Sequence, residues 1–450
     1  MTDRPTRTLL ISPFFDAALP SGGAFFSIEV AREWLRRGRS LAVICIRQDR
    51  RLGDLRAAQE DGRLALHPLI GPEQARFTHH PNEVLRQAAA EVIRSFRPDM
   101  IHVHNIQGML SAVRAGLDAG VPTILTALDF GMICFNFCLY PGRPEVCGGP
   151  ESAARCADCV MRDTRGPARL LGRMLPAGLS RRLWPRFVRL AQAIDAQELH
   201  AGMRHLLRGL DAVVAPSPSL GERLIRFGAR EERVTPLVYG LPPETILRPA
   251  KTPAESLRFA YFGGLDPLKG FATIVEAVRL LPDGIPLEIR AYGDDRLRDG
   301  LAALGPGVLR YLSHRQLLTG AALAAEHAGI DAVLVPSIIH ENSPFAVLMS
   351  LANGSPVLAS DTPGLRHLIL PERNGLLVPA GDPRAWAAAF VRAVQRPAVI
   401  RRMQADTRFD RTTADFVDDL EQIEDALAGH RSMSPADQRG SAGPCAAAFL

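Results

Sequence analysis

The chain has 450 residues, enough for two or three domains of ordinary size. Hydrophobic residues make up 47% of the chain and charged residues 22%, which is typical of a globular protein. The net charge of +5 and the 6% of aromatic residues do not favour nucleic-acid binding, and no apolar run reaches the length of a transmembrane helix. Because the residues before Thr8 include no apolar leader segment, we expect a cytoplasmic protein.

Short apolar strands alternate with helical patterns along most of the chain. The predicted strands cover residues 8–12, 41–46, 100–104, 123–128, 212–216, 258–262, 287–292, 332–336, 356–359 and 375–378. The clearest helical patterns cover residues 23–37, 82–96, 271–281 and 383–395. This alternation is typical of parallel sheets with both faces covered, so the sequence predicts an α/β fold with two doubly wound, Rossmann-like domains. In such sheets a ligand binds at the carboxyl ends of the strands, which places the predicted site in the cleft between the domains.

Composition sets the predicted domain boundaries. The first domain covers residues 1–240 and includes a Cys-rich loop at about 134–160 and a basic helical segment at about 162–208. A Pro-rich linker at 241–256 separates it from a second domain at 257–405. A C-terminal helix is predicted at 406–430, and the Ser-, Gly- and Ala-rich residues 431–450 are predicted to form a disordered tail.

Two glycine-containing turns each follow a predicted strand and open a helix. Gly22 and Gly23 follow the first strand of the chain, whereas Gly263 and Gly264 follow the first strand of the second domain and precede Lys269. Glycine lets the backbone approach a ligand closely, and a helix N-terminus favours an anion. The second turn is therefore a candidate diphosphate site, although it matches neither a Walker A nor a dinucleotide motif. A plain connection is the alternative for both turns.

A third candidate segment carries a carboxylate at the end of a strand. Glu341, Asn342, Ser343, Pro344 and Phe345 lie between a predicted strand and a predicted helix. The helix N-terminus leaves backbone N–H groups unpaired there, and the Glu341 carboxylate suits hydrogen bonds to sugar hydroxyls. The alternative is a carboxylate that only stabilises the helix dipole.

In this order, the three segments resemble the retaining nucleotide-sugar glycosyltransferases of family 4, which have the GT-B fold. Further matching segments lie at 98–105, 120–122, 128–134, 352–361 and 374–382. The resemblance implies that the C-terminal domain binds a nucleoside-diphosphate sugar and the N-terminal domain binds the acceptor. It also implies that catalysis needs no cofactor. By resemblance, the donor-binding residues are Gly263, Gly264, Lys269, Glu341, Asn342, Ser343 and Phe345.

The chain departs from the family pattern at four positions. Gly264 stands where the family has an arginine on the phosphate, and Met349 stands where it has a glutamate associated with the ribose. His367 replaces a glutamate, and Leu128 replaces the histidine of a His-Asp pair. These departures leave two interpretations, a divergent transferase and a non-catalytic relative that keeps the fold as a binding or scaffold protein.

The sequence as a whole predicts a glycosyltransferase. It would move a sugar from a nucleoside-diphosphate sugar to a glycan or lipid-linked acceptor, with retention, as in surface polysaccharide biosynthesis. Asp129 and Glu341 are the candidate catalytic residues, and Gly22, Gly23 and His104 are the candidates for an acceptor-side phosphate loop. A loop or helix-cap carboxylate is the alternative for Asp129. A nucleotide-sugar epimerase does not fit, because neither of the two lysines has a Tyr-x-x-x-Lys context.

Five of the seven cysteines lie between Cys134 and Cys159. Cys156 and Cys159 form a C-x-x-C pair, and with Cys134 and Cys147 they make a candidate ligand set for a structural Zn²⁺. Packed thiols, a disulfide and an iron–sulfur centre are the alternatives.

The segment from Arg162 to Arg189 contains eight arginines and a single acidic residue among apolar side chains. A basic, apolar segment of this kind can bind an anionic membrane surface, which predicts a peripheral contact with the inner face of the membrane. A helical excursion with a solvated arginine face is the alternative.

Overall fold

The computed structural model describes residues 6–17, 21–46, 52–70, 81–139, 147–150, 152–163 and 184–432. Most of the predicted membrane-binding segment, at 164–183, and the predicted tail from residue 433 onward lie outside these ranges. Within them, no helix is long and apolar enough to cross a membrane.

The N-terminal sheet has seven parallel strands. They are β1 (Arg7–Ile11), β2 (Ser40–Ile46), β3 (Leu64–Ile70), β4 (Met100–Val103), β5 (Thr123–Thr126), β6 (Ala212–Ala215) and β7 (Val234–Pro236). Their order in the sheet is β3-β2-β1-β4-β5-β6-β7. Helices cover this sheet: α1 (Gly22–Arg36), α2 (Leu55–Glu60), α3 (Glu83–Phe96), α4 (Leu110–Asp118), α5 (Ala153–Asp163), α6 (Trp184–Gly209) and α7 (Pro218–Phe227).

The C-terminal sheet has six parallel strands. They are β8 (Leu257–Phe262), β9 (Leu287–Gly293), β10 (Leu312–Gln316), β11 (Ala332–Val335), β12 (Val357–Ser360) and β13 (Gly375–Val378), in the order β10-β9-β8-β11-β12-β13. Its helices are α8 (Phe271–Arg279), α9 (Asp295–Ala302), α10 (Pro306–Leu309), α11 (Gly320–Glu326), α12 (Phe345–Ala352), α13 (Pro383–Gln395) and α14 (Pro397–Asp406). The two sheets confirm the predicted α/β fold with two doubly wound domains.

Each sheet reverses its strand order next to its first strand, between β1 and β4 and between β8 and β11. Loops that leave the carboxyl ends on either side of such a point diverge and leave a crevice for a ligand. The central strands are apolar and buried, so the position of this crevice is fixed by the two cores; Leu9, Leu10 and Phe259 are all fully buried. The candidate segments at 263–269 and 341–344 lie on these loops, whereas Gly22, Gly23 and Phe345 lie at the first residues of the helices that follow β1 and β11.

The final helix, α15 (Thr413–Ser432), returns to the N-terminal domain, which the sequence did not predict. Arg39 donates hydrogen bonds to Glu421 at 2.9 Å and to Glu424 at 2.7 Å, and His102 Nε2 lies 2.7 Å from Glu424 Oε1. All four side chains are nearly or fully buried. A buried charge is stable only with partners, so this network holds α15 on the N-terminal domain.

The chain crosses between the domains twice at neighbouring positions. Leu241, at the start of the linker, donates its N–H to Arg411 O, and its carbonyl accepts from the N–H of Thr413. A Cβ atom at Gly240 would lie 1.8 Å from Thr412 O, so only glycine allows this approach. Further along the linker, Lys251 Nζ donates to the carbonyls of the loop before β11 and to Ser355 Oγ. The linker therefore packs against the C-terminal domain along its length.

Candidate active site

A cavity of about 520 Å³ lies between the two domains at the carboxyl ends of both sheets. This volume is within the usual range for a small-molecule site. Most of the residues predicted from the sequence line it, namely Gly22, Gly23, Asp129, Gly263, Gly264, Lys269, Glu341, Asn342, Ser343 and Phe345. His104 does not. It is fully buried behind α1, with Nδ1 3.2 Å from Ser27 Oγ.

The loop after β8 is shaped by close backbone contacts. Asp266 Oδ1 accepts the N–H of Leu268, and the Tyr261 hydroxyl donates to Gly264 O at 2.9 Å. Gly270, with φ of +73°, precedes α8 and lies so close to the loop after β11 that a Cβ atom would be 1.9 Å from Pro336 O. These contacts hold the loops after β8 and β11 against each other and bring Lys269 to Glu341.

Lys269 and Glu341 form the charged centre of the cavity. Lys269 Nζ lies 2.8 Å from Glu341 Oε1, which also accepts the Ser337 hydroxyl at 2.6 Å. Burial alone would lower the pKa of Lys269, but the carboxylate of Glu341 outweighs it and raises that pKa. The ammonium is therefore charged at neutral pH, and about 42% of its side chain is still exposed to the cavity and solvent. This arrangement can bind a phosphate through Lys269 while Glu341 accepts hydrogen bonds from hydroxyl groups.

The segment from His340 to Phe345 also contacts the N-terminal domain. Ser343 Oγ donates to Pro216 O at 2.6 Å, and Asn342 Nδ2 donates to Leu128 O at 3.4 Å. Phe345 packs edge-on against Phe25 of α1, with ring centroids 4.9 Å apart. The Phe345 ring would lie 3.4 Å from a Cβ atom at Gly22, so this glycine leaves room for it. The segment that carries Glu341 is thus held by both domains.

Asp129 lies on the N-terminal wall of the cavity, after β5. Its Oδ1 accepts the N–H of Gly131 at 2.7 Å and its Oδ2 accepts the amide of Asn105 at 2.8 Å. Burial raises the pKa of Asp129 to about 6, although these two hydrogen bonds oppose the rise. A carboxylate with a pKa near neutrality can accept a proton from a bound hydroxyl group.

The raised pKa of Asp129 predicts a pH-dependent stability. The unfolded carboxyl titrates near pH 4, so the folded protein binds the proton more tightly, and the free energy of unfolding falls as the pH rises from about 4 to about 6. Asp129→Asn removes this titration. Denaturant unfolding of both proteins at pH 4, 5, 6 and 7 should show the variant gaining about 2 kcal/mol relative to wild type across this range. Parallel stability curves would contradict the raised pKa.

Two further cavity residues were not predicted from the sequence. His340 is 5% exposed, and its Nε2 lies 3.2 Å from the carbonyl of Cys147 in the other domain. Burial, with a smaller contribution from Arg223, lowers the pKa of His340 to about 4, so the imidazole is neutral. Tyr239, just before the linker, is 4% exposed and stacks on Phe345. His340 directly precedes Glu341 in the sequence, whereas only the fold brings Tyr239 to the cavity.

The cysteines lie beside the cavity. Cys156 and Cys159 are on α5, not on the loop that the sequence predicted. Residues three apart share one face of a helix, so the two thiols lie on the same side of α5. Burial raises the pKa of Cys156 to about 12, and the nearby thiols of Cys134, Cys147 and Cys159 add to this effect. Across the described ranges, however, no group of three or more His, Cys, Asp or Glu side chains is placed to hold a metal ion. The structural Zn²⁺ therefore stays a prediction from the sequence.

Comparison with known proteins identifies the family. The domain family described as glycosyl transferase 4-like matches residues 21–240, and the family described as glycosyl transferases group 1 matches residues 256–396. The two matches cover both domains. The chain belongs to the family 4 glycosyltransferases.

Curated relatives of this glycosyltransferase match part of its length. A lipopolysaccharide core biosynthesis glycosyltransferase of Rhizobium meliloti is 32% identical over 195 residues, which cover 42% of this chain and 55% of the relative. A GDP-mannose-dependent alpha-mannosyltransferase of Mycobacterium tuberculosis is 33% identical over 205 residues, which cover 42% of this chain and 49% of the relative. The chain thus spans about half the length of the curated relatives it matches.

Solved structures confirm the GT-B fold of this glycosyltransferase. A glycosyltransferase from Rickettsia africae superimposes with a TM-score of 0.63 at 14% identity, covering 94% of this chain and 98% of that one. HepE from Anabaena, in complex with UDP and glucose, superimposes with a TM-score of 0.60 at 15% identity, covering 95% and 99%.

The positions at which the chain departs from the family pattern have different surroundings in this glycosyltransferase. Gly264 lines the cavity, and a Cβ atom there would meet nothing within 4 Å. Met349 is 7% exposed and packs in the apolar core, outside the lining of the cavity. His367 Nε2 lies 3.3 Å from Ser343 Oγ, so it supports the segment that carries Glu341. The first departure leaves room for a ligand group, whereas the second fills its position with a buried apolar side chain.

Proposed function

We propose that this chain transfers a sugar from a nucleoside-diphosphate sugar to a hydroxyl of a glycan or lipid-linked acceptor, with retention of configuration. The observation that carries the proposal is the ion pair of Lys269 and Glu341 in the cavity between the domains. A diphosphate needs a cation and free backbone N–H groups, and a sugar needs a hydrogen-bond acceptor close by. The cation, Lys269, and the acceptor, Glu341, are both present within one cavity.

Each side of the cavity has its own part in this reaction. Lys269 stabilises the diphosphate, and Glu341 accepts hydroxyl groups of the transferred sugar. The bond between the anomeric carbon and the phosphate oxygen breaks, the acceptor oxygen bonds to the anomeric carbon on the same face, and the acceptor proton goes to the leaving phosphate. Asp129 lies on the acceptor side, where a carboxylate orients the acceptor hydroxyl. No step requires a metal ion or another cofactor.

Names of relatives and neighbours support a nucleotide-sugar donor. The mannosyltransferase depends on GDP-mannose, and HepE was solved with UDP and with UDP-glucose. The lipopolysaccharide core transferase of Rhizobium meliloti supports a surface glycan as the acceptor class. Such donors occur in the cytoplasm, so we place the reaction there, with any membrane contact on the inner face.

Binding calorimetry tests the proposal. The purified protein is titrated with UDP, GDP and ADP and with UDP-glucose, GDP-mannose and ADP-glucose. We expect one nucleotide series to bind with a micromolar Kd, and NMR of the product formed from that donor to show a retained anomeric configuration. If no nucleotide or nucleotide sugar binds below millimolar concentration, the non-catalytic alternative, which Gly264 and Met349 favour, replaces the transferase.

Gly264→Arg is expected to tighten nucleotide binding. The position has space for a Cβ atom and lacks a positive φ, so an arginine fits there and its guanidinium can reach the diphosphate. One charge-assisted hydrogen bond corresponds to about 10-fold or more in Kd. Gly264→Ala is the matched control and should leave Kd unchanged. An arginine variant that binds no more tightly than the alanine variant would show that the diphosphate lies away from this loop.

A further inference from the structure

The hydroxyl of Tyr239 is a buried polar group on the wall of the cavity. The residue lines the cavity between the domains and is 4% exposed. Within the part of the chain that the structure describes, its oxygen has no hydrogen-bond partner. A buried hydroxyl without a partner is unfavourable, so a second group is expected to pair with it when the site is filled.

The Tyr239 ring packs among phenylalanine rings. The ring lies 4.7 Å from Phe26, 5.5 Å from Phe345 in a nearly parallel stack, and 6.2 Å from Phe416, measured between ring centroids. A phenylalanine would make the same contacts without burying an oxygen. The hydroxyl therefore adds nothing to the packing, and its value to the protein lies in what it can bind.

The position of Tyr239 points to the sugar end of the donor. Its ring stacks directly on Phe345, which ends the segment that begins with Glu341. Asp129 lines the same cavity. Burial, with a further contribution from the Asp129 carboxylate, raises the pKa of Tyr239 well above its ordinary value. The phenol is thus neutral at every physiological pH and can donate its proton in a hydrogen bond.

We propose that the Tyr239 hydroxyl donates a hydrogen bond to a hydroxyl oxygen of the sugar in the bound nucleoside-diphosphate sugar. This inference rests on the proposed function and adds a contact from the N-terminal side to those of Glu341. Glu341 accepts hydrogen bonds from hydroxyl groups of the sugar, whereas Tyr239 donates one to a hydroxyl oxygen, so the two residues make different kinds of contact with the sugar. A site with a built-in donor rejects a sugar that lacks the matching oxygen.

Tyr239 would therefore contribute to the affinity for the sugar and not to the affinity for the nucleotide. The quantity to measure is the sugar increment, defined as the ratio of Kd for a nucleoside diphosphate to Kd for its sugar conjugate. Tyr239→Phe removes only the oxygen and keeps the stack on Phe345. Tyr311→Phe is the matched control, because Tyr311 is a buried tyrosine of the C-terminal domain whose hydroxyl donates to Pro282 O at 2.7 Å, outside the cavity.

Calorimetry with UDP and UDP-glucose, and with GDP and GDP-mannose, tests the inference in wild type and both variants. Tyr239→Phe is expected to reduce the sugar increment about 10-fold and to leave Kd for the nucleoside diphosphate within twofold. Tyr311→Phe is expected to leave the increment unchanged. An unchanged increment in Tyr239→Phe, an equal loss for nucleotide and nucleotide sugar, or a wild type in which the sugar adds no affinity would each overturn the inference. Failure of the proposed function is distinct, because wild type would then bind no member of either pair, and the inference would fall with it.

Discussion

Lys269→Ala is expected to weaken binding of the nucleoside-diphosphate donor by at least about 100-fold. The substitution removes a charge-assisted hydrogen bond to the diphosphate, which alone is worth about 10- to 150-fold in Kd. It also leaves Glu341 without the ammonium that lies 2.8 Å from it, so a buried carboxylate would face the approaching phosphates. The measurement is calorimetric Kd for the nucleotide that wild type binds.

Lys251→Ala is the control for the loss of a lysine. Lys251 is the other lysine of the chain, and it donates to the carbonyls of His327 and Ile330 and to Ser355. Its loss should lower Tm and leave the nucleotide Kd unchanged, because it lies outside the cavity. If Lys269→Ala binds the nucleotide within threefold of wild type, the diphosphate does not lie at Lys269 and the proposed binding mode is wrong.

Gly364→Ala is expected to weaken donor binding strongly, although residue 364 has no side chain in the wild type. A Cβ atom at residue 364 would lie 1.4 Å from Glu341 O, a distance that no rotation of a side chain can relieve. To relieve the clash, the segment that carries Glu341 would have to move by roughly 1 Å or more. A displacement of about 1 Å can reduce the activity of a site about 100-fold. We expect a loss of at least about 100-fold in donor affinity and a fall in Tm of several degrees, as for other severe backbone clashes.

Gly307→Ala controls for the glycine substitution. At this position, in α10, the nearest atom to the new Cβ atom would be Nη2 of Arg310 at an ordinary 3.7 Å. Calorimetry and thermal unfolding of both variants separate the two cases. Wild-type donor affinity in Gly364→Ala would show that the position of the Glu341 backbone does not determine binding.

Local sequence patterns predicted the centre of both sheets. The strands next to the switch points contain continuous apolar runs, such as residues 9–11 and 332–335, which are buried in the structure. Of the four edge strands, β3, β7 and β10 were missed, whereas β13 was predicted at residues 375–378. β3 includes His67 and Pro68 and is partly exposed, and β10 reads Leu-Ser-His-Arg-Gln. Edge strands have one unpaired side and less burial, so their composition is close to that of a loop.

The sequence predicted those parts of the candidate site that lie on loops with a recognisable local pattern of residues. Gly263, Lys269 and Glu341 follow apolar strands, and their turn chemistry is local. Tyr239 reaches the same cavity only through the packing of the two domains, which no short pattern records. His340 directly precedes Glu341, so its place beside the cavity could have been inferred from the sequence. For His104 the local pattern misled. Its position near the end of a predicted strand favoured a place in the cleft, whereas in the structure α1 covers it.

The return of α15 to the first domain has a consequence for how the protein is made. Arg39 is 4% exposed and its acidic partners are Glu421 and Glu424, almost four hundred residues further along the chain. During synthesis the ribosome releases the whole N-terminal sheet long before these partners emerge. Until then Arg39 and His102 lack the carboxylates that pair with them in the complete structure. The first domain to be synthesised therefore reaches its final stability only when the last described helix has left the ribosome.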